Sequence, residues 1–250
     1  MTSEPLTGEV LPTEPPPPDG AVMPLVEHLS ELRNRLIWSI LAIVVGSAIG
    51  FYLSDAAINV LKAPLPPGTN LIITNIGDAF GIKLKLAIVI GVILAMPVLL
   101  WHFWHFVAPG LTAGERGVVL PWIPATLAFF ALGVGVAYIV LPFASQFLQS
   151  FATGVFVPLL AAREYFDFVS MLFLAFGILM EFPVVLVGLA RVGIVTSERL
   201  RRSRRFVILG IAVFSAVATP GTDLVSPTVL GVTLYVLFEI TVIVIRRGGR

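Results

Sequence analysis

Four carboxylates stand where their surroundings give them work to do. Glu31 lies in LVEHLSELRNRLIWSI (Leu25 to Ile40), Glu115 in FWHFVAPGLTAGERGVV, Glu181 in FGILMEFPVVLVGLA and Glu239 in YVLFEI. A carboxylate at a membrane surface suits a guanidinium, whose planar fork it accepts bidentately. A carboxylate inside an apolar run costs roughly 2.5–3.5 kcal/mol on insertion scales, so it faces a bundle interior or a wet cavity. Glu181 has two readings of that kind. It is a protonated acid bonded to a neighbouring helix, or it is a group that faces a wet cavity. His102 and His105 are three residues apart on a predicted helix with no third ligand near them in sequence, so they read as interfacial histidines and not as a metal site. No serine–histidine, paired-aspartate or histidine–glutamate constellation lies within the apolar runs, and there is no cysteine. The residues point to binding and not to catalysis, and imply no cofactor.

The elements that hold these groups are apolar. Of 250 residues, 57% are hydrophobic and 12% charged, against about a quarter charged in soluble domains. Such a chain cannot cover itself with polar groups, and it reads as an all-α polytopic membrane protein. Six apolar segments are predicted to be spans. They are Leu36 to Leu53, Leu84 to Val107, Val118 to Leu141, Phe166 to Ala190, Phe206 to Thr219 and Thr228 to Ile245. The last two are short. They predict either a re-entrant hairpin turning at Pro220 and Gly221 or a locally thinned bilayer. Pro97, Pro121, Pro124 and Pro183 predict kinks. Trp101, Trp104 and Trp122 fall near span ends, where interfacial rings belong.

Three units follow. Residues 1–24 form an acidic, Pro-rich tail read as disordered, with no secretory signal pattern. Residues 25–247 form the membrane domain, and 248–250 a short C-terminal tail. Twelve of the sixteen Lys and Arg fall on one side of the six-span layout. That bias puts both termini in the cytoplasm. Before the first span, Leu25, Leu29, Leu32 and Leu36 share a helical face, and Glu31 to Arg35 has the favourable i, i+4 order for an ion pair.

HLSELRNRL (His28 to Leu36) resembles the N-terminal signature of TatC, the multi-spanning receptor subunit of the twin-arginine protein translocase. Further stretches resemble that family in order: APLPPG (Ala63 to Gly68), FWHFVAPGLTAGERGVV (Phe103 to Val119), AFGILMEFPVV (Ala175 to Val185), RRSRRFVILG with ATPGTDLVSPTVL (Arg201 to Leu230), and YVLFEI (Tyr235 to Ile240). One departure is visible: Pro-Gly-Thr-Asp follows Thr219 where many members have Pro-Pro-Asp, so Asp223 is placed by context. The resemblance implies a cup-shaped six-helix bundle in a bacterial cytoplasmic membrane, present in several copies in a complex. It implies partners of two kinds, Arg-Arg signal peptides of folded preproteins and single-span proteins of the TatA/TatB type, with export driven by the proton-motive force. Nucleic acid is not among the partners. It assigns Glu31 and Glu115 to the signal's Arg pair, with Arg33 and Arg116 orienting them and Phe106 and Pro109 shaping the site. It assigns Glu181, with Pro64 and Asp223, to partner contacts and translocation. The competing class is a secondary transporter or proton channel using Glu181 as carrier. The lack of internal repeats and the few polar groups in the spans weigh against it.

Overall fold

The computed structural model describes residues 25–65, 69–107, 123–150, 159–191, 195–218 and 224–247. The tails, Pro109, Glu115, Arg116 and Asp223 lie outside the described residues. In chain order the helices are α1 (Leu25–Lys62), α2 (Asp78–Val107), α3 (Ile123–Ser150), α4 (Ala162–Leu179), α5 (Phe182–Arg191), α6 (Ser197–Arg202), α7 (Arg204–Ala218) and α8 (Val225–Arg247). Five stretches are long and apolar enough to cross a membrane: His28–Lys62, Asp78–Phe106, Pro124–Ser150, Ala162–Ala190 and Val225–Arg247.

Two expectations about length change. The final helix is not short: α8 has 23 residues, because Pro227 sits in its first turn, where a missing N–H costs nothing. The segment before it remains short. α7 has 15 residues, about 22 Å at 1.5 Å per residue, against a hydrocarbon core of about 30 Å. The third span also runs beyond its expected end at Leu141, through Pro142 to Ser150.

The fourth span is two helices, not one. Pro183 lacks the N–H that would bond the Leu179 carbonyl, and its ring crowds that turn. The chain closes the break with tighter bonds. Glu181 N–H donates to the Ile178 carbonyl at 3.1 Å, and the Glu181 carbonyl then accepts from both Val184 and Val185 N–H, each at 3.1 Å. Glu181 therefore occupies the joint between α4 and α5.

α1 packs along α2 as the most extensive helix pair in the molecule. Small residues allow the approach. A Cβ on Gly46 would stand 2.6 Å from the Gly91 carbonyl oxygen, and one on Gly50 would collide with the Ala87 carbonyl. This is the Gly-x-x-x-Gly mode of membrane helix packing, in which backbones meet where side chains are missing. The same device recurs at α3 and α4, where Phe130 lies over Gly177, 2.6 Å from where its Cβ would be.

One end of the bundle is tied by polar contacts. Leu71–Ile72 pairs in parallel with Leu160–Ala161, the two short strands of the structure. Tyr165 donates to the Leu61 carbonyl at 2.6 Å. Asp78 is buried and accepts from Thr74 Oγ1 at 2.9 Å, Asn75 N–H at 2.8 Å and Arg163 Nη1 at 3.2 Å. Lys85 meets Asp167 at 2.5 Å. These contacts fix the loop after α1 to the start of α4, so the helix ends at this side act as one plate.

Candidate functional site

Glu31 sits less than two turns before Leu36, where the apolar part of α1 begins, and the N-terminal end of α1 lies beside the C-terminal end of α2. Arg35, one turn on, donates to Glu31 Oε1 from Nε at 2.9 Å, and also from Nη2. The expected i, i+4 pair is therefore present, and it is Arg35 that holds the carboxylate. Arg33, to which that role is assigned by resemblance, is exposed. The second oxygen, Oε2, is different. It is shielded from solvent and has no hydrogen-bond partner among the described residues. His28 Nδ1 stands 3.9 Å from it. The His28 ring stacks on Phe106 with centroids 4.4 Å apart and planes at 15°. Phe106 thus backs the Glu31 site across the helix pair, and Glu31, His28, Arg35 and Phe106 form one cluster. Chemically the cluster is a carboxylate with one oxygen held by Arg35 and the other shielded and without a partner among the described residues, beside the stacked His28 and Phe106 rings.

Glu181 forms a second station, in the interior. Trp104, Met96 and Leu100 of α2, Phe130 of α3 and Val184 of α5 make the apolar cluster around the joint. Glu181 is half-buried, and among the described residues no donor reaches its Oε1. Trp104 corrects a further expectation. It is 5% exposed and packs its ring 3.2 Å from where a Cβ of Gly188 would be. Trp101, half exposed, keeps the interfacial role and carries His105, whose Nδ1 donates to the Trp101 carbonyl at 2.9 Å. No group of three potential metal ligands converges among the described residues.

The remaining candidates are placed apart from both stations. Pro64 is in the turn after α1, closed by Leu65 N–H to the Lys62 carbonyl at 3.0 Å. Glu239 on α8 pairs with Arg204 at the start of α7, at 2.6 Å, which makes it a structural tie between those helices. The Asp78 cluster and the glycine contacts were not singled out from sequence. For Gly46 and Gly50 the four-residue spacing was the available signal.

Among the described residues, five long apolar helices and one short one, with one carboxylate near an end of the bundle and a second at a helix break, define a polytopic helical membrane protein. Comparison with known proteins names the family. Residues 27–232 match the Sec-independent protein translocase protein family, TatC, and the chain belongs to it. It is 36% identical over 224 residues to the TatC protein of Carboxydothermus hydrogenoformans, covering 89% of this chain and 92% of that one. It is 38% identical over 225 residues to that of Escherichia coli K12, covering 88% and 86%. Its fold is similar to the crystal structure of a twin-arginine translocase receptor, TatC, with TM-score 0.78 and 34% identity over 89% of this chain and 100% of the other.

Proposed function

We propose that this protein is the receptor subunit of a twin-arginine translocase, binding Arg-Arg signal peptides at the cytoplasmic membrane surface. The observation that carries the reading is the Glu31 carboxylate, with one oxygen engaged by Arg35 and the other sheltered and without a partner among the described residues, beside His28 and Phe106. A guanidinium arriving there takes the second oxygen of a carboxylate that Arg35 has already oriented. Glu115, followed by Arg116 and preceded by Pro109, is the second acceptor. Glu181 receives a polar group from a TatA/TatB-type single-span partner, with Pro64 and Asp223 serving partner contacts on the opposite side. The subunit acts in a multi-copy complex in a bacterial cytoplasmic membrane, uses no cofactor and catalyses no reaction of its own. With its partners it supports export of folded preproteins driven by the proton-motive force. The family membership and the fold similarity support this reading.

Photo-crosslinking tests it. A photoreactive residue at Leu29, which is exposed two residues from Glu31, should capture an Arg-Arg signal peptide and not its Lys-Lys variant. Equal capture of both would reject Glu31 as the Arg acceptor.

The proposed layout has six spans, α7 included, forming a curved wall with both termini cytoplasmic. The basic segment Arg199 to Arg205 and the C-terminal arginines support it. Because the chain has no cysteine, Thr222→Cys should react with an impermeant thiol reagent added outside intact cells, and Ser203→Cys should not. The reverse pattern would invert the layout.

A further inference from the structure

A groove of about 360 Å³ runs between α1, α2, α3 and α4, bordered by Leu53, Ala57, Leu61, Ile90, Phe173 and Ser170. It is apolar apart from the hydroxyls of Ser170 and Tyr138. Ser170 is 5% exposed, and its Oγ has no partner among the described residues. Four helical hydroxyls bond back to the carbonyl four residues earlier, Ser215 to Ile211, Thr228 to Leu224, Thr233 to Val229 and Thr241 to Leu237, and three to the carbonyl three residues earlier, Ser54, Ser145 and Ser150. Ser170 does neither, and its donor is left for something in the groove.

The groove extends along α1 from Leu53 to Leu61, ~12 Å at the helical rise, most of the ~15 Å depth of one leaflet. Its upper limit is marked by Tyr165, bonded to the Leu61 carbonyl. Next to Leu61 is Lys62, exposed and without an ion pair among the described residues. The nearest acid on that helix, Asp55, is already neutralised by Lys83 at 2.7 Å. Ser170 lies five residues further along α4 than Tyr165, ~7.5 Å deeper. The order from the surface inward is thus a free cation, a free hydroxyl donor and an apolar trough.

That order matches the order of groups in a phospholipid: phosphate, ester carbonyl, acyl chain. A phospholipid carries its anion, its ester carbonyl and its chain in that fixed order, and an acyl chain alone would leave Ser170 unpaired. We propose that this groove binds an anionic phospholipid from the leaflet at the Lys62 end, with its phosphate on the Lys62 ammonium, an ester carbonyl accepting from Ser170 Oγ, and one acyl chain in the trough.

Native mass spectrometry of the detergent-purified, delipidated full chain tests this, with phosphatidylglycerol, phosphatidylethanolamine and inorganic phosphate as probes. One phosphatidylglycerol should be retained in preference to phosphatidylethanolamine. Lys62→Gln should lower its apparent affinity about fivefold, as one basic residue near a lipid surface contributes ~1 kcal/mol, and should leave phosphatidylethanolamine unchanged. Ala57→Trp, which fills the trough, should remove both. Ser170→Ala should weaken both while deleting only a hydroxyl, so the test stands even if the tryptophan variant does not fold. Equal retention of the two lipids, an unaltered Lys62→Gln variant or unaltered binding to Ser170→Ala would overturn the proposal. Displacement of phosphatidylglycerol by inorganic phosphate alone would also overturn it, in favour of a site for a free anion.

Discussion

Glu181→Ala is expected to abolish transport and capture of the TatA-type partner while leaving affinity for an Arg-Arg signal peptide unchanged. The residue stands at the joint between α4 and α5, nine residues before Ala190, which is roughly 13 Å along the helix at 1.5 Å per residue. Pro183 has no N–H to give the Leu179 carbonyl, and beside that missing bond stands a carboxyl oxygen with no partner among the described residues. An unpaired polar group in such a place costs about 1–3 kcal/mol. Deleting the carboxyl therefore should not destabilise the protein, and its melting temperature in detergent should hold or rise. Docking of a partner's polar side chain recovers that cost, and its loss should weaken docking about 10-fold or more, from the ~1.5–3 kcal/mol of a hydrogen bond to a charged group. Glu181→Gln keeps an oxygen and adds a donor, and should transport better than Glu181→Ala if hydrogen bonding is what the joint supplies. Normal transport by Glu181→Ala would remove the residue from the mechanism. A lower melting temperature accompanying lost transport would assign it a packing role.

Loss of transport and retention of stability would follow from a feature that periodicity does not show. Pro183 marks a disturbance in Phe166 to Ala190, but a proline in a span permits either a kink or a break. The choice was made by tertiary packing: Trp104 on Gly188 and Phe130 on Gly177 hold the two halves separately. The length of the last helix escapes the sequence for a related reason. The apolar run of the last helix starts after Pro227, and apolarity alone could not tell that the helix starts before it. The 15-residue helix was legible as short, since both its ends carry local signals, Arg204 and Arg205 before and Pro220 after. Pairings distant in sequence were not legible at all. Arg163 reaches Asp78 across 85 positions, and Lys85 reaches Asp167 across 82. Glu31 was the opposite case. Its partner lies one turn away, so the i, i+4 rule finds Arg35, whereas the partnership with Phe106 through His28 needs α1 and α2 to be packed.

That packing decides how Glu31 should behave when mutated. Arg35 occupies Oε1, so an incoming guanidinium meets Oε2, which is sheltered from water and carries no hydrogen bond among the described residues. Sheltering raises the worth of the new bond, because the signal displaces little hydration from the acceptor. One charge-assisted hydrogen bond contributes about 1.5–3 kcal/mol, so Glu31→Ala should weaken an Arg-Arg signal peptide about 10- to 150-fold, a range that follows from tenfold per 1.4 kcal/mol. Glu115→Ala should show a loss of the same order through the second arginine. Binding of a Lys-Lys peptide, which presents point charges in place of forks, should change little in either variant. Arg35→Gln separates orientation from charge. It frees Oε1 without removing the carboxylate, so it should weaken the Arg-Arg peptide less than Glu31→Ala does, through loss of the fixed geometry. Fluorescence titration of labelled peptides against the detergent-purified variants gives all of these ratios. Equal losses for Arg-Arg and Lys-Lys peptides in Glu31→Ala would mean that the carboxylate only anchors the start of α1 against α2, and that the guanidinium is read elsewhere.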